Sequence, residues 1–335
     1  MGELTLRRAA LDGGRLSQLQ HGVLLARTAP AVFRVRGSGA LTCLQGLLTN
    51  DLDKPGVGAV VYCALLTPKG MILADLWVYR GKDEFLLVAE AHAREAIRQV
   101  FGRGLPPRLA KSEDLTGTLE ATWLYGDLAI AALAAAHLPV IDGEGHGSVS
   151  GEGDGRLVLL RPPSGSPFRA LLLGTDTTLE YAETALERAG ALNAGVAEQE
   201  AARVLAGWPR LGAEIGDKTL PQEVRFDEND GVSYTKGCYT GQETVARLHF
   251  RGHANRELRG IVWEGTPLLE DEAVRAVDGK EVGRVSSVLD LDRMSLGLAV
   301  VRREVAPGTT LTAGNRAARV VALPFDLGLL SQAAG

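Results

Sequence analysis

The residues best suited to chemistry in this 335-residue chain form one run, Lys236-Gly237-Cys238-Tyr239-Thr240-Gly241-Gln242-Glu243. Two glycines flank a cysteine and a tyrosine, which reads as a tight turn because glycine adopts positive φ without strain. Thr240 precedes Glu243 by three residues, the spacing of a capping box. A helix is therefore expected, with Thr240 as N-cap and Val245 and Leu248 on its buried side. Free N–H groups at that helix start, and the ammonium of Lys236, would favour the Cys238 thiolate, the reactive form. The competing reading is a small buried hydrophobe, the common state of a free cysteine. Nucleophilic catalysis would want a base in reach. His249 is the nearest histidine in sequence, and spacing alone does not decide whether it turns back.

Arg247 and Arg251 suit a carboxylate or phosphate through bidentate hydrogen bonds, or else form a solvated surface pair. His249 and His253 are four apart, but Phe250-Arg251-Gly252 between them reads as a helix end. With no third ligand nearby in sequence, no metal site is assigned. No Walker loop, Gly-x-Ser-x-Gly elbow or His-Glu-x-x-His motif competes with the Cys238 run.

The elements that must position this run follow from periodicity. Ala31–Arg36 alternates apolar and polar residues, as a half-buried strand does. Ala40–Leu47 follows as a helix. Val57–Thr67, Met71–Arg80 and Glu84–Ala89 read as an antiparallel meander, with turns at Pro68-Lys69-Gly70 and Gly81-Lys82-Asp83. A helix over Ala91–Val100 and a strand over Thr116–Tyr125 complete an α+β lobe. Residues 126–255 read as a second such lobe. Within it, the six glycines of 143–155 predict a disordered hairpin loop. From residue 256 short strands at regular spacing, with turns such as Asp278-Gly279 and Pro307-Gly308, predict a small barrel. The expected division is thus 1–125, 126–255 and 256–335, with segments free to exchange between the first two lobes.

Bulk properties narrow the function. The chain is 45% hydrophobic and 23% charged, ordinary for a globular protein. Aromatic residues make up only 5%, which excludes broad base-stacking surfaces. The net charge of −5 argues against generic nucleic-acid or anionic-membrane binding, while leaving room for a local basic site. Three widely spaced cysteines form no disulfide framework and fit a reducing compartment. With neither a signal-peptide core nor an 18-residue apolar stretch, a cytoplasmic protein with no membrane partner is expected.

Four runs carry a resemblance: LQGLLTND near the start, TPKG after the first long strand, GWPRLG…LPQE, and KGCYTGQE followed by VAR and FRG. Together they resemble the YgfZ family, folate-binding relatives of the glycine cleavage T-protein (GcvT), an aminomethyltransferase. The resemblance implies a three-lobed T-protein-like fold, two α+β lobes with antiparallel sheets plus a C-terminal β-barrel around a central channel. It implies tetrahydrofolate or a derivative in that channel, and iron–sulfur client enzymes, including a tRNA-modifying one, as partners. No direct nucleic-acid partner is expected, on the ground of the net charge. Cys238 is then the functional residue, with the turn held by Lys236, Gly237, Tyr239, Gly241, Gln242, Glu243 and Arg247. Folate contacts are expected from Asn50, Gln199, Glu200, Arg203 and Tyr239, with Lys236, Arg203 or Arg247 facing the anionic glutamate tail. Two departures stand out. Aminomethyltransferases carry paired acids where this chain has Ala74-Asp75, and a glutamate where it has Leu205. They leave two alternatives open, a methyl- or aminomethyltransferase and a non-catalytic binding scaffold.

Overall fold

A computed structural model of the chain describes residues 7–264, 272–314, 316–326 and 328. In chain order its first elements are β1 (Arg8–Leu11), α1 (Gly13–His21), β2 (Leu24–Thr28), β3 (Ala31–Arg36), α2 (Ala40–Leu47), β4 (Val60–Leu66), β5 (Ile72–Arg80), β6 (Phe85–Ala89), α3 (Arg94–Gly104), β7 (Lys111–Asp114) and β8 (Glu120–Tyr125). The middle of the chain adds α4 (Ala129–Ala135), β9 (His146–Ser150), β10 (Leu157–Arg161), β11 (Ala170–Gly174), α5 (Asp176–Arg188), β12 (Leu192–Asn193), α6 (Val196–Leu205) and α7 (Gln242–Arg251). The last strands are β13 (Arg256–Trp263), β14 (Ala273–Arg275), β15 (Glu281–Leu291), β16 (Ser295–Arg302), β17 (Thr310–Ala313) and β18 (Arg316–Val321).

These strands make three sheets. One has the order β4-β5-β6-β3-β7 and is antiparallel throughout. The second has the order β12-β2-β8-β11-β10-β9. The third runs β15-β14-β17-β18-β13-β16 and closes through the β15–β16 pairing into a six-stranded barrel. Strand β1 adds in parallel to the far end of β15.

The burial pattern explains why the sheets stack. Successive strand residues point to opposite faces, and both lobe sheets are apolar on both. On β5, Ala74, Leu76 and Val78 face α2 and α3, with Phe101 and Ile97 across from them. Trp77 and Tyr79 face the other way and join Leu24, Ala121, Val158, Leu160, Leu171 and Leu298 in a central core. The second sheet packs its outer face against α4 and α5 through Leu133, Leu179 and Leu186. The two sheets therefore share one interface, and the barrel closes its end through Leu258, Leu289, Leu296 and Leu298.

Three details differ from the sequence reading. The division at residue 125 cuts across the second sheet, because β2 and β8 pair with each other and β8 pairs with β11. An alternating pattern reports that a strand exists, not which sheet it enters. The glycine-rich stretch is not a disordered loop. His146–Ser150 pairs with β10 from Leu157↔Ser150 to Arg161↔His146, and the hairpin between them has Gly151 and Gly153 at positive φ. Its backbone bonds are supplied by β10, so it needs no apolar side chains of its own to be ordered. The barrel also gains β14 and β1, both too short for a periodicity to register.

A buried ion network ties α6 to the barrel. The Arg203 guanidinium donates to both Glu200 oxygens (2.6 and 2.9 Å), to Glu214 Oε2 (2.8 Å), to the Trp208 carbonyl (2.6 Å) and to Ser287 Oγ on β15 (2.5 Å). Glu214 Oε1 accepts from Ser286 and Ser287, each at 2.7 Å. Arg210 reaches Glu200 at 2.8 Å. Burial alone would raise the Glu214 carboxyl; Arg203, Ser287 and Ser286 outweigh it and hold the group below its ordinary range. Arg203→Met would leave two carboxylates with side chains fully buried and under-compensated. We expect it to cost about 3–5 kcal/mol in chemical denaturation. A loss under about 1 kcal/mol would mean that packing, not this network, fixes α6 to the barrel.

Candidate functional site

The site begins at the end of α2. A helix leaves its last carbonyls without intrahelical partners. Here they are taken by a residue from the far end of the chain. Lys236 Nζ donates to the carbonyls of Gln45 (2.9 Å), Leu48 (2.7 Å) and Asn50 (2.8 Å). The Thr240 amide donates to Gly46 O at 3.0 Å, and Ser233 N to Thr49 O at 3.0 Å. Thr49 Oγ1 donates to Gly231 O at 2.6 Å. The Asn50 side chain is spent in the same way, donating to Tyr62 O at 3.0 Å and to Asp230 O. LQGLLTND and KGCYTGQE, far apart in sequence, thus form one hydrogen-bonded unit.

TPKG completes it. Gly241 has φ +82, and a Cβ there would lie 2.6 Å from Thr67 O and 3.0 Å from Gly70 Cα. Gly70, at φ +87, would place its own Cβ 3.0 Å from Thr244 Cβ. Gly237 is different: a Cβ there meets open space, and its φ is not positive.

The helix after the turn starts later than the spacing suggests. Its N-cap is Gly241 rather than Thr240, and no side chain caps it. Thr240 is occupied by Gly46, which accepts from its amide and lies 3.5 Å from its hydroxyl. That contact removes Thr240 from the cap. Val245 is buried as expected, whereas Leu248 is only half-buried.

Cys238 is exposed. The Lys236 ammonium makes its hydrogen bonds elsewhere, its three N–H donors meeting three carbonyls of α2 and the following turn. His249 is likewise engaged by other groups. Its ring stacks on Tyr234 at 3.6 Å, and its Nδ1 lies 3.7 Å from Asp227 Oδ2. Tyr239 points inward, 7% exposed, with Lys236 Nζ 5.3 Å from its ring centroid. Its buried hydroxyl has no hydrogen-bond partner among the described residues, and burial raises its pKa. Gln242 is half-buried, and Glu243 and Arg247 are exposed.

A second group lies at the shared interface of the two sheets. Tyr62 on β4 donates to Asp75 Oδ2 on β5 at 3.0 Å. Burial pushes the Asp75 carboxyl up to about 6, against that hydrogen bond. Tyr62 sits in an aromatic cluster: Trp208 at 4.7 Å, Trp77 at 4.9 Å and Phe226 at 5.1 Å between centroids. Asp75 is half-buried as a residue, and its carboxyl is desolvated enough for burial to outweigh the Tyr62 hydrogen bond. A carboxyl that titrates near neutrality can give or take a proton.

Alternation along β5 revises the meaning of Ala74. Ala74 is fully buried in the core under α2 and α3, on the face opposite Asp75. An acid at 74 would not reach the interface where Asp75 stands. The substitution therefore removes no acid from that interface.

Of the expected folate contacts, Glu200 and Arg203 belong to the buried network and Asn50 to the α2 turn. Gln199 is half-buried and makes only a long contact with Gly195 O at 3.5 Å. Tyr62, Trp77 and Trp208 escape the sequence reading. Alternation of Trp77 with Asp75 is the available signal, and nothing in the sequence pairs them with Trp208.

Two outcomes test this geometry. Gly237→Ala should leave stability within about 0.5 kcal/mol, whereas Gly241→Ala should cost about 2 kcal/mol or more through positive φ and the clash with Thr67. Equal effects in thermal melts would refute the assigned asymmetry. For Asp75 the folded-state pKa lies above the ordinary 3.8, so the folded protein binds the extra proton between about pH 4 and 6. Stability from this group falls as pH rises through that window. Asp75→Asn should gain about 1–2 kcal/mol relative to the parent between pH 4 and pH 7. Parallel stability curves would show that Asp75 titrates normally.

Comparison with known proteins places this geometry. The family model of the GCVT N-terminal domain matches residues 24–139. The "tRNA-modifying protein YgfZ" of Serratia proteamaculans is 28% identical over 80% of this chain and 79% of its own length. Its counterpart from Cronobacter sakazakii is 26% identical over 89% of this chain and 91% of its own. Among solved structures, the glycine cleavage system aminomethyltransferase T from Bartonella henselae superposes with a TM-score of 0.81, at 20% identity, over 93% of this chain and 89% of that one. The chain is thus similar to the YgfZ proteins over most of its length and has the fold of the glycine cleavage T-protein.

Proposed function

We propose that the chain binds a reduced folate at the interface of its two lobe sheets and supports iron–sulfur enzymes in the cytoplasm, those that modify tRNA among them, with Cys238 as its functional residue. The observation that carries this reading is Asp75: a carboxyl with a pKa near 6, positioned by Tyr62 beside Trp77 and Trp208 on a T-protein fold. A pterin offers a flat ring for the aromatic side chains and N–H donors for the carboxylate. Arg203 and Lys236 are already engaged, so the glutamate tail of the folate points toward solvent rather than to those two cations. The turn displays Cys238 on the surface, where a client protein can reach it.

A one-carbon transferase is the second reading, and Asp75 also favours it. The acid that the Ala74-Asp75 pair retains is the one facing the interface. Assay of aminomethyl or methyl transfer to tetrahydrofolate separates the two readings.

Titration calorimetry with 5-formyltetrahydrofolate should give saturable binding, weakened at least tenfold by Asp75→Asn, as a charge-assisted hydrogen bond worth about 1.5–3 kcal/mol implies. No binding, or equal binding by the variant, removes the folate assignment at this interface. Cys238→Ser should melt within about 0.5 kcal/mol of the parent in stability. It should nonetheless fail to restore iron–sulfur-dependent tRNA modification in cells that depend on this protein. Full complementation by the serine variant would take the chemical role away from Cys238.

A further inference from the structure

The segment 244–256 holds three arginines, two histidines and no acid, within a chain of net charge −5. Most of it is α7, whose first turn grows out of the Cys238 turn. Arg247, Phe250 and Arg251 are spaced i, i+3 and i+4 and so share one face of that helix. All three are exposed, Phe250 at 65%. Neither arginine has an acid partner among the described residues. This contrasts with the ion-paired arginines elsewhere, such as Arg27, which meets three carboxylates.

Phe250 is held in position rather than free. It stands edge-on to His249 (4.8 Å, 89°) and to Tyr234 (5.9 Å, 78°), which stack on each other. Beyond the helix end Arg256 adds a third exposed arginine, while its neighbour on the barrel, Arg302, is ion-paired with Glu304 at 3.8 Å. Arg256 lies directly across from Arg302 in the β13–β16 register. Beside it is a cavity of about 230 Å³ lined by His253, Arg259 and Arg303 together with Asp227, Glu228 and Glu257. Those three acids are engaged: Glu257 by Arg259 and Arg303, Glu228 by Arg225, and Asp227 by Tyr234 and His249.

We infer that this face binds the unpaired nucleotides of an RNA, phosphates on Arg247, Arg251 and Arg256 and a base stacked on Phe250. The combination matches how proteins hold single strands: cations that follow the backbone, and an exposed ring that takes a base face. The low aromatic content excludes a broad stacking platform, not one ring, and the negative net charge describes the whole surface, not this face. An acidic peptide would satisfy the arginines but leave Phe250 without a specific role. The inference rests on the proposed role in tRNA modification, and adds that the RNA itself touches this chain beside Cys238.

Fluorescence anisotropy with a labelled in vitro tRNA transcript tests it. Three phosphate contacts predict a slope of about −2 in log K against log salt, or roughly a twentyfold loss from 50 to 200 mM. Arg247→Gln with Arg251→Gln should weaken binding at least tenfold and flatten that slope. Phe250→Ala should weaken it about fivefold or more, the lower range for one stacked base, without changing the slope. Arg103→Gln with Arg108→Gln, exposed arginines on another lobe, should change neither. The inference is overturned if the transcript does not bind, if the control pair weakens it as much as the α7 pair, or if poly-glutamate displaces it equally from the parent and Phe250→Ala. Melting temperatures equal to the parent's confirm that each variant is folded. Folate titration on the same samples separates the two claims: intact folate binding without RNA binding removes only this inference, and RNA binding without folate binding removes only the folate reading.

Discussion

The arrangement turns on Arg203, buried between Glu200 and Glu214. Burying charges is costly unless every donor and acceptor is matched. Here the guanidinium finds two carboxylates, a carbonyl and a serine, and the acids find two serines and Arg210 besides. The partners come from α6, from the loop after it and from β15. Satisfying them fixes all three in one relative position. Trp208, in that loop, then lies against Tyr62 and Trp77, so the same network sets one wall beside Asp75. It also engages the Arg203 guanidinium, whose charge alone would suggest ligand recognition.

A similar economy governs the Cys238 turn. Lys236 closes the end of α2 as a C-terminal cap supplied from a distant part of the chain, where an ammonium also meets the negative end of the helix dipole. Anchoring on one side by Lys236 and on the other by Gly241 against Thr67 leaves little freedom to the residues between. Tyr239 is driven inward and Cys238 outward as a result. The turn presents a thiol on a rigid base, with α7 leading away from it.

Much of this is legible in the sequence because strands with one sheet neighbour and one core announce themselves. The meander β4–β6 and the run of short strands in the C-terminal barrel lie where strand-forming runs and turn residues put them. The T-protein-like fold is legible from the four motifs taken together. What cannot be read is what depends on partners distant in sequence. The crossing of β2 and β8 into the second sheet depends on pairing with β11. The order of the glycine-rich hairpin depends on β10, and the late start of α7 on Gly46. Ala74 misleads for a local reason. Adjacent residues on a strand read as one acid pair, although the pleat sends them to different cores.

In the proposed reading Asp75, Tyr62 and the aromatic cluster form the ligand site, with Arg203 and Lys236 serving structure. The most direct test is a crystal structure of the chain with 5-formyltetrahydrofolate. The pterin is expected between the two lobe sheets, within hydrogen-bond distance of the Asp75 carboxyl, with Arg203 still bound to Glu200 and Glu214. A folate lodged elsewhere, or one whose carboxylates had drawn Arg203 out of its network, would contradict it.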